Sequence, residues 1–516
     1  MAGLLGSTGA GLRRPAFLLG TAFVAFLLTG CAVQQRPLAE EALLGHAEET
    51  FVDLDAGQPS VDAPLSLAEA ISRALKYNLE LRGRLLEQSL AAGELKEGNF
   101  DMLPKLVADA GYSWRSNQLS RLSSSNLDPD NAVFSVAREH ADGDLAFQWN
   151  VLDFGASYYT ARQNGDRLLI ANERRRKATH TLIQNVRTAY WRAYAAQLLN
   201  ERVEEAISQA EAALRDADRA SSERVRDPVA ALRYQRTLLE NLRLLEAVQQ
   251  ELSTGRVELS QYIGRKPGEP LHLSVDRLPN PTALLISLEA MEVTALARNA
   301  DLRESAYDAR IAALEARKAL IGLLPGISFN YGYNFDDDRY LVNDEWYSAG
   351  TRVSYNLLTL ISAPERMRNA KKRSEIKEAQ RRALEMAVVT QVHLARHQYD
   401  EARKQYERAQ AIYEIDKELA ELYRDRAAAE MVSRMDRISA DVTFILSTAR
   451  LYQALSRSQE AASRIEATLG LEPAIDSLGE QTLEQIQAAV ESHLDSWANE
   501  GSTSRDSSDE RAVSAG

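Results

Sequence analysis

A single cysteine, 14 prolines and 26 glycines in 516 residues leave this chain little with which to cross-link, break or turn itself. One cysteine excludes any internal disulfide. Scarce proline and glycine, with Ala, Leu, Glu, Arg and Gln dominant, favour long helices. Past residue 30 no stretch approaches the ~20 consecutive apolar residues that a membrane helix requires. A membrane could therefore be crossed only by strands. Basic residues are also outnumbered. Residues 1–30 hold two arginines and no acid, so the remainder carries 59 basic and 74 acidic side chains, a net charge of −15. That balance excludes nucleic acid as a partner, since phosphates need clustered Lys and Arg. Catalytic patterns are missing too. His393 and His397 stand four apart in H-L-A-R-H, but no glutamate follows the first histidine, so the zinc-protease pattern fails. There is no phosphate-cradling glycine loop and no nucleophile elbow. No catalytic residue, metal site or cofactor is expected, and any energy must come from a partner.

What is present begins at the N-terminus. Arg13 and Arg14 precede the apolar run Ala16 to Leu28, the pattern of a secretory signal. Leu28-Thr29-Gly30-Cys31 then resembles the bacterial lipobox, in which the cysteine sulfur receives a diacylglycerol before cleavage. Cys31 is the expected lipidation site and first mature residue. Ala32 behind it matches an outer-membrane rather than an inner-membrane retention signal.

The chain is internally duplicated. Residues 65–112 lie on residues 286–333 without a gap, at an offset of 221 and with fourteen identities in 48 positions. These include Asn78/Asn299, Leu81/Leu302, Arg82/Arg303, Pro104/Pro325 and the pair Gly111-Tyr112/Gly332-Tyr333. Farther on the offset is 206, pairing Asn150 with Asn356, Val186 with Val392 and Gly264 with Gly470. The change falls between Tyr112 and Asn150, so the first half has the longer loop. Each half reads helix, strand, loop, strand and two long helices. The expected organisation is a signal peptide (1–30), a linker (31–60), two repeats (61–270 and 271–475), and a C-terminal helix with a tail (476–516).

The strands alternate with period two. Ile327, Phe329, Tyr331, Tyr333 and Phe335 share one face, opposite Ser328, Asn330, Gly332 and Asn334. Val353, Tyr355 and Leu357 alternate likewise, as do Leu106 to Trp114 and Phe147, Trp149 and Val151. Such a face points into the core of a soluble sandwich or out to lipid from a barrel, and the period is the same for both. The signal and lipobox favour the barrel. Four strands cannot close one, because the smallest have about eight, so the chain must assemble with copies of itself. Asp336–Asp338 in the second strand loop and the polar stretch Ser123–Asp130 in the first are expected to decorate the exposed mouth or to be solvated loops without a role.

The helices carry heptad seams. Leu182, Val186, Ala189, Ala193, Ala196, Val203, Ile207, Ala210, Leu214 and Ala217 follow 4-3 spacing, broken only by Asn200. Val388, Val392, Ala395, Tyr399, Ala402, Tyr406, Ala409, Tyr413, Ala420 and Tyr423 repeat it. Returning helices are expected near Val229–Ile263 and Ser433–Leu469. A modest helix is expected near Leu483–Trp497.

On these residues the sequence resembles the TolC family of outer-membrane efflux proteins over roughly residues 60–475. The carriers are the duplicated Asn-x-x-Leu-Arg openings, the Leu-Pro before the first strand of each half, and the step Trp149-Asn150-Val151-Leu152-Asp153-Phe154-Gly155. The turn from Val432 to Ala440 is similar to the family's I-S-x-L-D-x-L-x-A signature. The resemblance implies a mainly α fold with a small β-barrel sector. It implies a homotrimer with a twelve-stranded barrel, four strands per chain, in outer-membrane lipid, and a long helical tunnel. It implies a periplasmic adaptor docked at the helical tips and an inner-membrane transporter of RND or ABC type. Asp436 matches a position whose carboxylates ring the periplasmic aperture. Val432, Ser433, Arg434, Met435 and Asp227 fall at the adaptor-contact tips. The first tip matches poorly, with Ala230 where the second has Asp436, and Ile361 stands where the first half has Gly155. Small-molecule efflux, type I protein secretion and a lipid-anchored coiled-coil scaffold without a pore remain open as functions.

Overall fold

A computed structural model describes residues 37–53, 58–61, 63–121, 133–222, 228–275, 278–279, 286–429, 431–475 and 481–500. The chain divides into two units, residues 1–57 and 58–516. The first contains helix α1 (Glu40–Asp53). Cys31 and Asp227 lie outside the described residues, as do residues 122–132.

The second unit carries the duplication. Its first half runs α2 (Leu67–Tyr77), α3 (Leu79–Phe100), β1 (Lys105–Trp114), β2 (Leu119–Arg121), β3 (Val133–Val136), β4 (Glu139–Asn150), α4 (Val151–Ser222) and α5 (Pro228–Tyr262). Its second half runs α6 (Leu288–Arg298), α7 (Ala300–Ile321), β5 (Gly326–Asp336), β6 (Glu345–Ser354), α8 (Leu358–Ala428) and α9 (Arg434–Leu469), and α10 (Leu483–Glu500) follows. The 72 residues of α4 span about 108 Å at 1.5 Å per residue. Its seam from Leu182 to Ala217 is largely buried, and Val388, Val392, Ala395, Tyr399, Tyr406 and Ala420 are buried on α8.

Strand and helix boundaries depart from the alternation pattern. Val151 opens α4 and Tyr355 to Leu357 lie beyond β6. The step is made by Asn150, whose Oδ1 accepts from the amides of Leu152 (2.9 Å) and Asp153 (3.3 Å). A side chain that satisfies the first amides of a helix also ends the strand before it. The longer loop of the first half holds a small hairpin of its own, β2 with β3.

The duplicated asparagines explain why each repeat opens with a broken helix. Asn78 ends α2 and caps α3, accepting from Leu81 N at 3.0 Å while its amide donates to the Tyr262 carbonyl at 3.2 Å. Asn299 repeats this between α6 and α7, accepting from Leu302 N at 3.1 Å and donating to the Thr468 carbonyl at 3.0 Å. One side chain thus fixes both a kink and the end of a returning long helix. Those helices end at Gly264 (φ 76°) and Gly470 (φ 68°) in the left-handed region that glycine tolerates best. Space is also short there. A Cβ on Gly470 would sit 2.3 Å from the Arg298 carbonyl oxygen.

Within the second unit α5 packs on α4, α4 on α9 and α9 on α8; α3 flanks α4, and α7 packs between α4 and α8. The segments entering each repeat meet in a parallel bridge, Leu65 to Leu273. Tyr190 anchors this bridge, its hydroxyl 3.0 Å from the Leu65 carbonyl. Gln197 grips Leu273 through both amide groups, at 3.0 and 2.8 Å.

Asn299→Ala removes a cap and leaves the Thr468 carbonyl unpaired, and should cost about 1–3 kcal/mol. Gly470→Ala should lower the thermal midpoint further than Gly268→Ala, because Gly268 also has positive φ (99°) but no atom within 4 Å of its added Cβ. Equal shifts would show that the junction tolerates a side chain.

Candidate functional site

The four long strands form one antiparallel sheet in the order β1-β4-β5-β6. The register joins the two repeats at β4 and β5, from Asp142↔Asp336 to Asn150↔Ser328. It also aligns their faces. Leu106 lies opposite Phe147, Phe147 opposite Tyr331, and Tyr331 opposite Ala349, so one apolar face crosses all four strands. Trp149 stacks on Phe329 (centroids 6.0 Å) and Tyr331 on Tyr347 (6.3 Å) within it. No described element covers this face. Tyr112 is 70% exposed, Trp114 60%, Tyr331 56%, Tyr347 71% and Val353 66%. In a soluble sandwich these side chains would be the core. The opposite face is polar. It sets Asp109 directly opposite Asp144 and Asp142 opposite Asp336. Facing like charges are unfavourable in a cross-strand pair unless water or counter-ions screen them. The outer edges of β1 and β6 have no strand partner among the described residues.

At the far end of the long helices, Val432 and Ser433 form the turn between α8 and α9, and Arg434 begins α9. Ser433 is the N-cap. Its hydroxyl accepts from Asp436 N at 3.1 Å and donates to the Asp436 carboxylate at 2.7 Å. Asp436 is thereby held on the first turn, where a negative charge also suits the helix dipole. Its carboxylate stays exposed and lines a pocket of about 240 Å³ with Asp416, Leu419, Tyr423 and Thr443. Met435 is half-buried against the core. The turn brings together four of the five expected tip residues with Asp436, and the fifth, Asp227, is not described.

Sequence pattern gave no sign of the cross-links above this turn. Arg424 donates twice to Asp441 Oδ1, at 2.9 and 2.8 Å, tying α8 to α9. Arg437 reaches the same carboxylate at 3.7 Å and donates to Gln209 of α4 at 3.5 Å. Arg202 lies over the Phe444 ring, 5.3 Å from its centre. The only available signal is opposite charge across a hairpin, which most exposed helices share.

Midway along the helices lies a buried charge cluster. Arg187, on α4, donates to Glu466 of α9 at 3.1 Å and to Ser463 at 2.8 Å. His493 of α10 stands 3.5 Å from the other oxygen of Glu466. Burial alone would raise the Glu466 carboxyl, but Arg187 and His493 more than offset it and hold it below the usual carboxylate value. Nearby, Glu472 accepts from Arg176 at 2.7 and 2.9 Å, and Glu173 pairs with Arg176 and Arg303.

One expectation needs correction. Asp338 does not decorate a mouth. It is 5% exposed, and its carboxylate accepts from Ala137 N at 3.0 and 3.1 Å, while Asp337 accepts from Ala141 N at 2.6 Å. Unpaired loop amides recruit these carboxylates, and the loops of the two repeats are clipped together. Ser123–Asp130 lie outside the described residues. His393 of α8 pairs with Glu292 of α6 at 2.7 Å. Among the described residues no helix is long and apolar enough to cross a membrane. Nor does any group of three His, Cys, Asp or Glu there suit a metal ion.

The fold is that of solved outer-membrane channels. The chain is similar to the CmeC outer-membrane channel of Campylobacter jejuni at 13% identity and a TM-score of 0.60, covering 89% of this chain and 97% of that one. It is similar to the MtrE channel of Neisseria gonorrhoeae, solved in its open state, at 18% identity and TM-score 0.58, covering 79% and 89%. The outer-membrane protein VceC of Vibrio cholerae matches at 13% identity and TM-score 0.57, covering 79% and 97%. No family profile and no curated protein sequence matches the chain.

Because the folded Glu466 carboxyl is held below its unfolded value, its contribution is present above about pH 4.5 and fades as pH falls further. Glu466→Gln should cost about 3–5 kcal/mol at pH 7, leaving Arg187 buried without its counter-charge. It should also flatten the fall in stability below about pH 4.5. Unchanged acid unfolding in the variant would show that the cluster carries none of that dependence.

Proposed function

We propose that this chain is one protomer of a trimeric TolC-type outer-membrane channel, the passive outer duct of a tripartite efflux system. The observation that carries the reading is the apolar sheet face left uncovered beside two open strand edges. Exposed apolar side chains in this number need a non-aqueous neighbour, and in lipid an open edge leaves amides and carbonyls unpaired at several kcal/mol each. Three copies joining β6 of one to β1 of the next make a closed twelve-stranded sheet, with the acidic polar face lining a wet lumen. The shared fold with outer-membrane channels agrees with this. A scaffold that is not a pore would have no reason to leave that face bare.

The helices offer the same two flanks. The first-repeat flank presents Leu86 and Leu90 of α3 and Leu232 and Leu239 of α5, all exposed. The second presents Ile412, Ile415, Leu419 and Leu422 of α8, exposed at 3-4-3 spacing. A heptad stripe without a partner among the described residues suits a neighbouring helix. Lipidation at Cys31 would hold the N-terminus at the same membrane. At the other end, three Asp436 carboxylates would ring the aperture and favour cations. Val432 to Met435, with Asp227, would meet the periplasmic adaptor, behind which stands an inner-membrane transporter of RND or ABC type.

Detergent-purified protein should run as a trimer by light scattering and open stable, cation-preferring pores in planar bilayers. Asp436→Ala should lower that preference, and Ile415→Glu should yield helical monomers without conductance. A monomeric wild type that opens no pores would overturn the reading.

A further inference from the structure

We propose that the first turns of α8 form a binding belt for the anionic phospholipid headgroups of the periplasm-facing leaflet; this rests on the channel reading above. In an acidic chain, residues 363–382 carry eight basic against three acidic side chains. They begin directly after four exposed apolar residues, Leu357 (70%), Leu358 (70%), Leu360 (57%) and Ile361 (77%). These follow β6 out of the sheet and form an exposed apolar collar at the start of α8. No residue from Leu358 to Ala387 is buried, whereas α4 buries side chains from Ala161 onward.

The pairing of the charges differs between the repeats. At the positions of α4 that match Arg366–Arg373, residues 160–167, the charge balance is lower. There the acid Asp166, which stands where α8 has Lys372, is buried and paired with Arg310 of α7. Farther along, Arg174 pairs with Glu304 (2.8 Å) and Arg176 with Glu472 (2.7 Å). On α8, Lys377 reaches Asp308 of α7 at 3.6 Å, but among the described residues the cations nearer the sheet, Arg368 and Lys372, pair only with Glu365 and Glu375 of their own helix. Arg366, Lys371 and Arg373 have no ion-pair partner among the described residues. Side chains on a helix lean toward its N-terminus. Here that is the sheet end, so these long cations lean toward the membrane surface. Counted from Ile361, the last residue of the collar, Arg366 lies about 8 Å, Lys371 about 15 Å and Arg373 about 18 Å along the helix at 1.5 Å per residue. Extended side chains leaning toward the sheet bring Arg366 into a headgroup layer roughly 5–8 Å thick, and Lys371 and Arg373 to its periplasmic edge. An apolar collar followed by unpaired cations is the arrangement that anionic lipid recognises.

The test places wild type and an Arg366→Gln/Lys371→Gln/Arg373→Gln variant in phosphatidylcholine bilayers with spin-labelled phosphatidylglycerol or spin-labelled phosphatidylcholine. The motionally restricted fraction of each lipid is read at low and high salt. Wild type should restrict phosphatidylglycerol at least about threefold more strongly than phosphatidylcholine, with the excess lost in the variant and in 0.5 M NaCl. Equal restriction of both lipids in wild type, or undiminished preference in the variant, would overturn the belt while leaving the channel reading intact. Restriction of neither lipid would instead contradict the channel reading. A variant that dissociates to monomers would assign these cations to the protomer seam, and would also overturn the belt.

Discussion

The sheet sets two demands at once, an apolar face that needs cover and edge amides and carbonyls that need partners. A four-stranded sheet with one apolar face is complete neither in water nor in lipid. In water it exposes Tyr112, Trp114, Tyr331 and Tyr347 together. In lipid it exposes the outer edges of β1 and β6. Burial of apolar area is worth about 25 cal/mol per Å², and each edge group stranded in hydrocarbon costs several kcal/mol. In the proposed assembly, closure through copies of the same chain satisfies both terms. The long helices repeat the logic, with a stripe open on α8 and another on α3 and α5.

Duplication is what makes such a sector economical to build. Each half supplies one hairpin to the sheet and one helical hairpin to the body. The asparagine junctions then fix each half internally, since Asn78 and Asn299 join a kink to the end of a returning helix. The halves are fastened to each other by charge. Arg187 and Glu466 couple α4 to α9 out of water, and Arg176 with Glu472 holds the chain just past α9. The same helices carry the tip, where Ser433 presents Asp436 on a capped first turn. Rigid helices more than 70 residues long transmit that placement from sheet to tip.

Much of this was legible in the sequence because it rests on period and punctuation. Alternation from Ile327 to Phe335 gave a strand of the right length, and shared Pro and Gly-Tyr positions gave the duplication. The heptad seam from Leu182 was found, but Ile183, Tyr190 and Leu199 are buried as well. α4 is sandwiched between α5 and α9, and a single-seam pattern cannot announce a second partner. The burial of Asp338 was invisible for a similar reason. A carboxylate's environment depends on which loop amides lie nearby, and those come from residues 201 positions away. The Arg187–Glu466 pair, 279 residues apart, shares that fate. At the candidate site the turn from Val432 to Ala440 was readable from its similarity to the family signature, whereas the Arg424–Asp441 and Arg437–Gln209 cross-links were not.

The central claim is that odd-numbered residues of β5 face lipid and even-numbered ones face an aqueous lumen. A nitroxide scan from Ile327 to Phe335 in reconstituted bilayers, read by collision with oxygen and with a water-soluble nickel complex, measures this directly. Oxygen access should peak at 327, 329, 331, 333 and 335, with nickel access peaking at the positions between. Nickel access at every position, or protection of the odd series from both reagents, would mean that the sheet lies in water or in a protein core, and the account would fail.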